Sequence, residues 1–360
     1  MKLLVWQWGR RGSGPRYGAS LAASLRSLDG VSAVLSLSAQ SEILCGTAPP
    51  VCELPFSTYG GFAGLLLRIL STPILLGRLA ACLRQIRPDV AICAMPAPLD
   101  MLMAMALHRA GVRFLVVVHD AYLHPGDGFP LQMTLQRLLM RRADGLIALS
   151  DHVAGQLRKL DLVGGRPLIM TSHPPLVFGA PPPLPRAHGG KLRLLSFGRL
   201  LPYKGLDLLA EALRLLGPKP DVEIRVVGSG PETPVLEALR QMPGVTVENR
   251  WVPEAEVGGV LSWADALVLS HREASQSGVA AAAIAARRWV VATRVGGITE
   301  QLQHESQARL CDPTPASLAA ELERLRTSPP QATQHDDPGA TWHEAATDLM
   351  RQISAVFGRG

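Results

Sequence analysis

Short unbroken apolar runs recur along the chain, separated by stretches whose apolar residues fall at helical spacing. In the first half the runs are 3–8, 33–37, 90–94, 114–118 and 146–149. In the second half they are 192–197, 222–227, 245–247, 266–269, 289–292 and 308–311. Between the latter lie helical patterns at 205–216, 234–242, 254–263, 277–287 and 315–326; the last opens with Thr314 at the N-cap and Pro315 at the first helical position. Strands this short and this uniformly apolar are buried on both faces, which predicts parallel sheets with crossover helices. The fold class expected is α/β, with two doubly wound, Rossmann-like domains facing each other across an interdomain cleft. In such sheets the loops after the strands carry the chemistry.

Six prolines between 174 and 185 interrupt this rhythm. They continue neither a helix nor a central strand and read as a semi-rigid connector. The organisation expected is an N-terminal domain over 1–175, a linker over 176–190 and a C-terminal domain over 191–340. A last helix, within 341–360, follows a polar segment (328–339) and is expected to cross back to the first domain. At 360 residues each half is long enough for its own core.

Charge divides at the same seam. Residues 1–175 carry 17 Lys/Arg against 10 Asp/Glu, a balance of +7, whereas residues 176–360 have a balance of −1. A basic first half suits an anionic partner or a solvated basic surface. Aromatics make up only 5%, and no basic recognition helix or stacking motif is present, so nucleic acid is not expected. Five scattered cysteines without a CxxC pair disfavour a disulfide framework and fit a reducing compartment. No apolar run reaches the length of a membrane span and no signal-peptide pattern opens the chain. A cytoplasmic protein is expected.

Three loops combine glycine with charged or hydroxyl groups at strand ends. The first, 9–18, holds Arg10, Arg11, Gly12, Gly14 and Arg16 before a helix, a pattern for anion contact. It is not the dinucleotide fingerprint, because Tyr17 stands at the third glycine position and no acid follows near 36–38. The second places Gly198, Arg199 and Lys204 at a turn that opens a helix, two cations suited to a diphosphate. Gly228 ends the next strand in a further close-approach turn. The third, 271–279, brings Glu273, Ser275, Ser277, Gly278 and Val279 to the start of an alanine-rich helix. Its amides suit phosphate and its carboxylate suits sugar hydroxyls; a helix capped by Ser275 or Ser277 accounts for the same residues. The residue types in His119-Asp120-x-x-x-His124-x-x-Asp127 fit a divalent metal, and the same stretch is also strong turn chemistry.

Taken together, these loops resemble the group-1 glycosyltransferases, the large retaining family with the GT-B fold. The run Gly198-Arg199 to Lys204-Gly205, the strand end Val227-Gly228-Ser229-Gly230-Pro231 and the block from Ala264 through Glu273 to Gly297 match in order and approximate spacing. Val118-His119-Asp120 and 143–150 match in the first half. The resemblance implies a nucleoside-diphosphate sugar donor, with its diphosphate held by Arg199, Lys204 and amides near Ser277-Gly278-Val279. It places Glu273 on the donor sugar, His119 near the reacting carbon and the base near Arg250-Trp251-Val252. It implies neither a cofactor nor a metal ion. Two departures stand out: Ala281 replaces the family's second glutamate, which holds the ribose, and Arg287 and Trp289 replace its usual glycine and proline.

The acceptor is expected on the first domain. The Arg10, Arg11 and Arg16 loop and the apolar stretches 61–70 and 74–86 suit a glycan or lipid-linked acceptor at the inner membrane face, with peripheral membrane contact. The setting expected is envelope or exopolysaccharide synthesis. A non-catalytic sugar-nucleotide-binding scaffold and an epimerase on the same fold are the alternatives.

Overall fold

The structure is a computed structural model that describes every residue except 47, 123, 125, 127, 129, 130, 331–336, 359 and 360. Asp127, part of the metal-like pattern, therefore lies outside the described residues. The chain divides into two compact units: Met1–Tyr122 with Gly128–Pro174 and Gly339–Gly360, and Leu123–Asp127 with Pro175–Pro338.

The first unit is built on strands β1 (Lys2–Gln7), β2 (Ser32–Leu37), β3 (Val90–Cys93), β4 (Arg113–Val118), β5 (Gly145–Ala148) and β6 (Leu168–Met170). They form one parallel sheet in the order β2-β1-β3-β4-β5-β6. Both edges are covered by the unit's own chain. Outside β2, Leu54 and Phe56 donate backbone hydrogen bonds to Leu35 and Leu37, and the Phe56 ring stacks on Trp8 at 4.4 Å. Outside β6, Gln352 of the helix Pro338–Phe357 acts as a one-residue strand. Its Nε2 donates to the Met170 carbonyl at 2.8 Å and its Oε1 accepts from the Met170 amide. Satisfying an edge in this way blocks pairing with another chain.

The second unit holds β7 (Leu192–Phe197), β8 (Val222–Gly228), β9 (Val245–Asn249), β10 (Ala266–Leu269), β11 (Trp289–Thr293) and β12 (Ala308–Cys311). Its parallel order is β12-β11-β10-β7-β8-β9, so connections leave β7 in one direction and β10 in the other. Alternation along the strands sorts side chains between two cores. Leu194, Val226 and Val268 pack on one face, with helices Leu206–Leu216 and Pro315–Thr327. Leu195, Val227, Leu267 and Leu269 pack on the other, with helices Glu254–Trp263 and Gly278–Ala285.

The proline-rich segment is fastened to the second unit. Leu176 is buried and its amide donates to the Ala281 carbonyl at 3.1 Å. Asp265, almost wholly buried, accepts from the amides of Arg186 and Arg193 and from His188. Arg288 donates to the carbonyls of Pro183, Ala264 and Ala286. Burial lowers its pKa to about 10, and those three carbonyls are what make a buried guanidinium tolerable. Arg288, which stands between the departures at Arg287 and Trp289, thus fastens the linker through Pro183.

Candidate active site

The sheet order of the second unit puts its topological switch between β7 and β10. The loops leaving the carboxyl ends of these two neighbours splay apart, and a crevice opens there in sheets of this kind. The β7 loop carries Gly198, Arg199 and Lys204; the β10 loop carries His271, Glu273, Ser275 and Ser277. The two are laced together by backbone. Ser270 Oγ donates to the Lys204 carbonyl at 2.9 Å, and the Arg272 amide donates to the Tyr203 carbonyl at 2.8 Å.

Side chains complete the cluster around the Tyr203 ring, which is buried. His124 stacks on one side of it, with centroids 4.3 Å apart and planes 16° apart. Lys204 Nζ lies 5.1 Å from its centroid and the Arg199 guanidinium 5.9 Å, while Arg199 Nη2 donates to the phenol oxygen at 3.0 Å. Lys204 Nζ also donates to His271 Nε2 at 2.8 Å. That bond requires a lone pair on Nε2, hence a neutral imidazole protonated at Nδ1. Burial, with the Lys204 charge second, holds the His271 pKa well below its ordinary value, in agreement with that tautomer. Glu273 Oε1 sits 3.2 Å from His124 Nδ1, with more than half of the glutamate side chain exposed. These contacts of Arg199 and Lys204 go to a phenol, an imidazole and π faces, none of which cancels their charge.

The third loop ends in the helix Gly278–Ala285. Ser277 Oγ caps it by accepting from the Ala280 amide at 3.2 Å, and the Ser277 amide donates to Gln301 Oε1 at 2.9 Å. Of the amides expected to face phosphate, that of Ser277 is therefore engaged, and those of Gly278 and Val279 have no partner within the helix by virtue of their position. Ala281 is wholly buried. A Cβ at Gly228 would overlap the Gly198 carbonyl oxygen, so this glycine permits a close approach between the β7 and β8 ends. Arg250 is exposed and pairs with Glu248 at 3.3 Å and Glu256 at 2.8 Å. Its neighbour Trp251 is partly exposed and Val252 is buried. The pairing holds the Arg250-Trp251-Val252 loop against the helix Glu254–Trp263. A cavity of about 310 Å³ lies alongside, lined by Arg225, Glu248, Arg250, Glu256 and Trp263 among others.

The first unit has the corresponding switch between β1 and β3. Gly12 is the N-cap of the helix Ser13–Arg26, which has no capping side chain. Gly14 lets that helix approach Gln7 and Met95 closely. Arg10 donates to the Gly60 carbonyl at 2.7 Å and lies over the Tyr59 ring. Arg11 pairs with Glu42 at 3.1 Å, and Arg16 lies in the first turn and a half of the helix. His119, at the end of β4, is buried, and its Nε2 donates to the Ala94 carbonyl at 2.9 Å. Burial lowers its pKa, with the Ala94 bond opposing, so the ring is neutral at pH 7. It packs edge-on against Tyr17 at 5.0 Å, and Tyr17 also meets His173 and Trp342 of the C-terminal helix. Burial and then His119 bring the His173 pKa down to about 4.

Tyr203, His271, His173 and Trp342 were not among the residues expected in the sites, and His124 stood only in the metal-like pattern. His271 reaches Lys204 across 67 residues of chain. The local signal was that His124, Tyr203 and His271 lie in stretches already singled out, Tyr203 next to Lys204.

Comparison with known proteins agrees with this architecture. The chain is similar to sucrose-phosphate synthase from Thermosynechococcus elongatus (TM-score 0.65, 15% identity, 99% of this chain and 94% of that one). It is similar also to Anabaena HepE in complex with UDP-glucose (0.64, 17%, 99% and 95%), and to UDP-GlcNAc 2-epimerase from Neisseria meningitidis bound to UDP-GlcNAc (0.60, 10%, 99% and 100%). At these identities the likeness establishes the fold, two Rossmann-like domains of the GT-B class. In sequence, a D-inositol 3-phosphate glycosyltransferase of Jonesia denitrificans is 30% identical over 180 residues, 45% of this chain and 42% of that protein. A family model described as "Glycosyl transferase 4-like domain" matches residues 13–171 and one described as "Glycosyl transferases group 1" matches 191–328. Matched in both units over most of its length, the chain belongs to the group-1 glycosyltransferases.

Proposed function

We propose that the protein transfers a sugar from a nucleoside-diphosphate donor to a glycan or lipid-linked acceptor, with retention of anomeric configuration and without a metal ion. The setting proposed is envelope or exopolysaccharide synthesis. The observation that carries the reading is the convergence of Arg199, Lys204, Glu273 and the helix Gly278–Ala285 at the switch between β7 and β10.

Glycosyl transfer breaks the bond between the anomeric carbon and a phosphate oxygen, and forms one from that carbon to an acceptor oxygen, which loses its proton. Negative charge develops on the departing diphosphate. Arg199 and Lys204 are fixed in place by Tyr203 and His271 before the donor arrives, so they stabilise that charge without reorganising. The amides of Gly278 and Val279 and the helix dipole add to it. Glu273 binds sugar hydroxyls and lies next to a carbon that becomes positively polarised; it is not assigned as a nucleophile. The base is proposed to lie near Arg250-Trp251-Val252, and uracil is the first base to test, because HepE and the epimerase are described with UDP-sugars. His119 enters on the family pattern, as a neutral imidazole contacting the sugar. Arg10, Arg11 and Arg16 are proposed to meet an anionic acceptor.

The test is turnover of UDP-sugars in the presence of a chelator, with the anomeric proton coupling of the product read by NMR. An inverted product overturns retention, and complete loss on chelation overturns metal independence. Ala281 favours a second reading, a donor-binding scaffold without turnover, because the position of the family's ribose-holding glutamate is a buried methyl here. Stabilisation by UDP with no product from any acceptor supports that reading. Product formed from the sugar nucleotide alone points to an epimerase.

A further inference from the structure

We propose that the bent helix pair Phe62–Leu70 and Thr72–Ile86 is a docking surface for an anionic membrane. The second helix buries Leu75, Leu76, Leu79 and Leu83 in the core of the first unit. Its opposite face should then be polar. Instead, large aliphatics stand in solvent on both sides of the break at Ser71: Leu66, Leu67 (66% exposed), Ile69, Leu70 (79%) and Ile74 (64%). Five such side chains within nine residues form a contiguous apolar patch of a kind that marks an interaction site. Together the two helices have the length and composition of a span, but they are bent by 73° and the second buries four leucines in the core, so the patch suits a shallow contact with the interface.

Charge selects the occupant. From residue 54 to residue 88 there is no Asp or Glu, while arginines stand at 68, 78, 84 and 87. Arg68 is part of the fold, donating to the Thr58 carbonyl and Ser57 Oγ. Arg78 and Arg84 are exposed, Arg78 one turn after Ile74 on the same helix face and Arg84 further along the helix on its flank. Among the described residues neither takes part in an ion pair. Apolar side chains flanked by arginine, with no carboxylate, complement acyl chains beneath anionic headgroups. A two-fold dimer through the same patch would set arginines against arginines with nothing in the segment to neutralise them. The patch adjoins the β1 loop through the bond from Arg10 to the Gly60 carbonyl, so docking here would bring the proposed acceptor-binding arginines to the lipid surface. That consequence rests on the proposed function; the docking itself does not.

The experiment is co-sedimentation of the full chain with vesicles of phosphatidylglycerol and phosphatidylcholine, and of phosphatidylcholine alone, without any sugar donor. The protein is expected to bind the anionic vesicles and to be released by salt. Leu67→Ser/Leu70→Ser/Ile74→Ser is expected to weaken that binding at least tenfold with an unchanged melting temperature. Arg78→Ala/Arg84→Ala is expected to weaken binding to anionic vesicles roughly 25-fold, at about fivefold for each arginine. The proposal is overturned by absence of binding to anionic vesicles, or by wild-type binding in either variant. It is equally overturned by a lipid-free dimer that the triple substitution abolishes, which would make a second copy the occupant.

Discussion

Both units carry a Gly/Arg loop between the first strand and the first helix, at a switch in strand order, yet the two loops keep different company. In the second unit Arg199 and Lys204 rest on a phenol, a neutral imidazole and an aromatic face. In the first unit Arg11 meets the carboxylate of Glu42 and Arg10 meets the Gly60 carbonyl. A cation held by neutral groups keeps its field for a ligand, whereas one held by a carboxylate is partly cancelled. Of these contacts, those of Arg199 and Lys204 leave their charge in place, and that of Arg11 with Glu42 offsets it.

Removing the cations should separate the two loops most clearly. Lys204→Ala is expected to lower kcat/KM by 10²–10³, about 3–4 kcal/mol of transition-state stabilisation, because it deletes a preorganised charge at the leaving group. Stabilisation by the nucleoside diphosphate in thermal melts should fall with it. Arg10→Ala should leave the diphosphate-induced shift in melting temperature unchanged. Equal losses in the two variants would mean that the loops do not differ as their partners indicate.

Glycines extend the contrast to stability. A methyl at Gly228 overlaps the Gly198 carbonyl oxygen, with backbone on both sides that has nowhere to go. Gly228→Ala is expected to cost about 3 kcal/mol or more in urea unfolding, the range of severe overpacking. Gly12 has a positive φ of 80°, but a methyl added there would meet nothing within 4 Å. Gly12→Ala should cost about 1–3 kcal/mol of backbone strain, less than Gly228→Ala, because φ 80° with ψ −165° is a region left almost wholly to glycine but no overlap is added. Comparable losses would deny that the β7 end is the tighter of the two.

Much of this arrangement was legible in the chain. Strands that are apolar throughout stood out, and those of the second unit begin at the residues expected, with ends shifted by no more than two. β6 was missed: Leu168–Met170 is three residues long and follows Pro167 without any periodicity of its own. The loops were legible because phosphate chemistry calls for glycine, arginine and lysine at strand ends. What held their side chains was not. The bond from Lys204 to His271 spans 67 residues and that from His124 to Glu273 spans 149. Such pairs depend on which strands become neighbours, and no local pattern encodes that.

Buried titratable groups sharpen the picture of the first unit. Burial raises the Asp100 pKa from 3.8 to about 7, against the bond from the Ala97 amide that favours its charged form. With the folded value above the unfolded one, stability is lost as pH rises from about 4 to 7. His173 has the opposite sign: with a folded value of about 4 against 6.5, stability is lost as pH falls through that window. Across their ranges Asp100 contributes roughly 4 kcal/mol and His173 roughly 3, with opposite sign, so the two slopes largely offset each other. Asp100→Asn retains an acceptor for the Ala97 amide and removes one slope. Its stability is expected to rise by about 2–3 kcal/mol between pH 4.5 and 7.5 relative to the wild-type change. A variant that runs parallel to wild type in urea unfolding at the two pH values would show that Asp100 is ionised in the fold.

The smallest effect discriminates most finely. The Arg11–Glu42 pair is solvent-exposed, and such pairs contribute about 0–1 kcal/mol. Glu42→Gln should therefore leave unfolding within about 0.5 kcal/mol of wild type, yet it releases Arg11 from its carboxylate. If charge cancellation is what separates the two loops, Glu42→Gln should strengthen binding of inorganic phosphate to the first unit, and Arg11→Ala should abolish the gain. The Arg199 and Lys204 site must be removed by a background Lys204→Ala substitution so that only the first loop is read. Unchanged phosphate affinity in Glu42→Gln would locate the difference in backbone geometry, since the uncapped helix at Gly12 and the Ser277-capped helix would then be what the anion distinguishes.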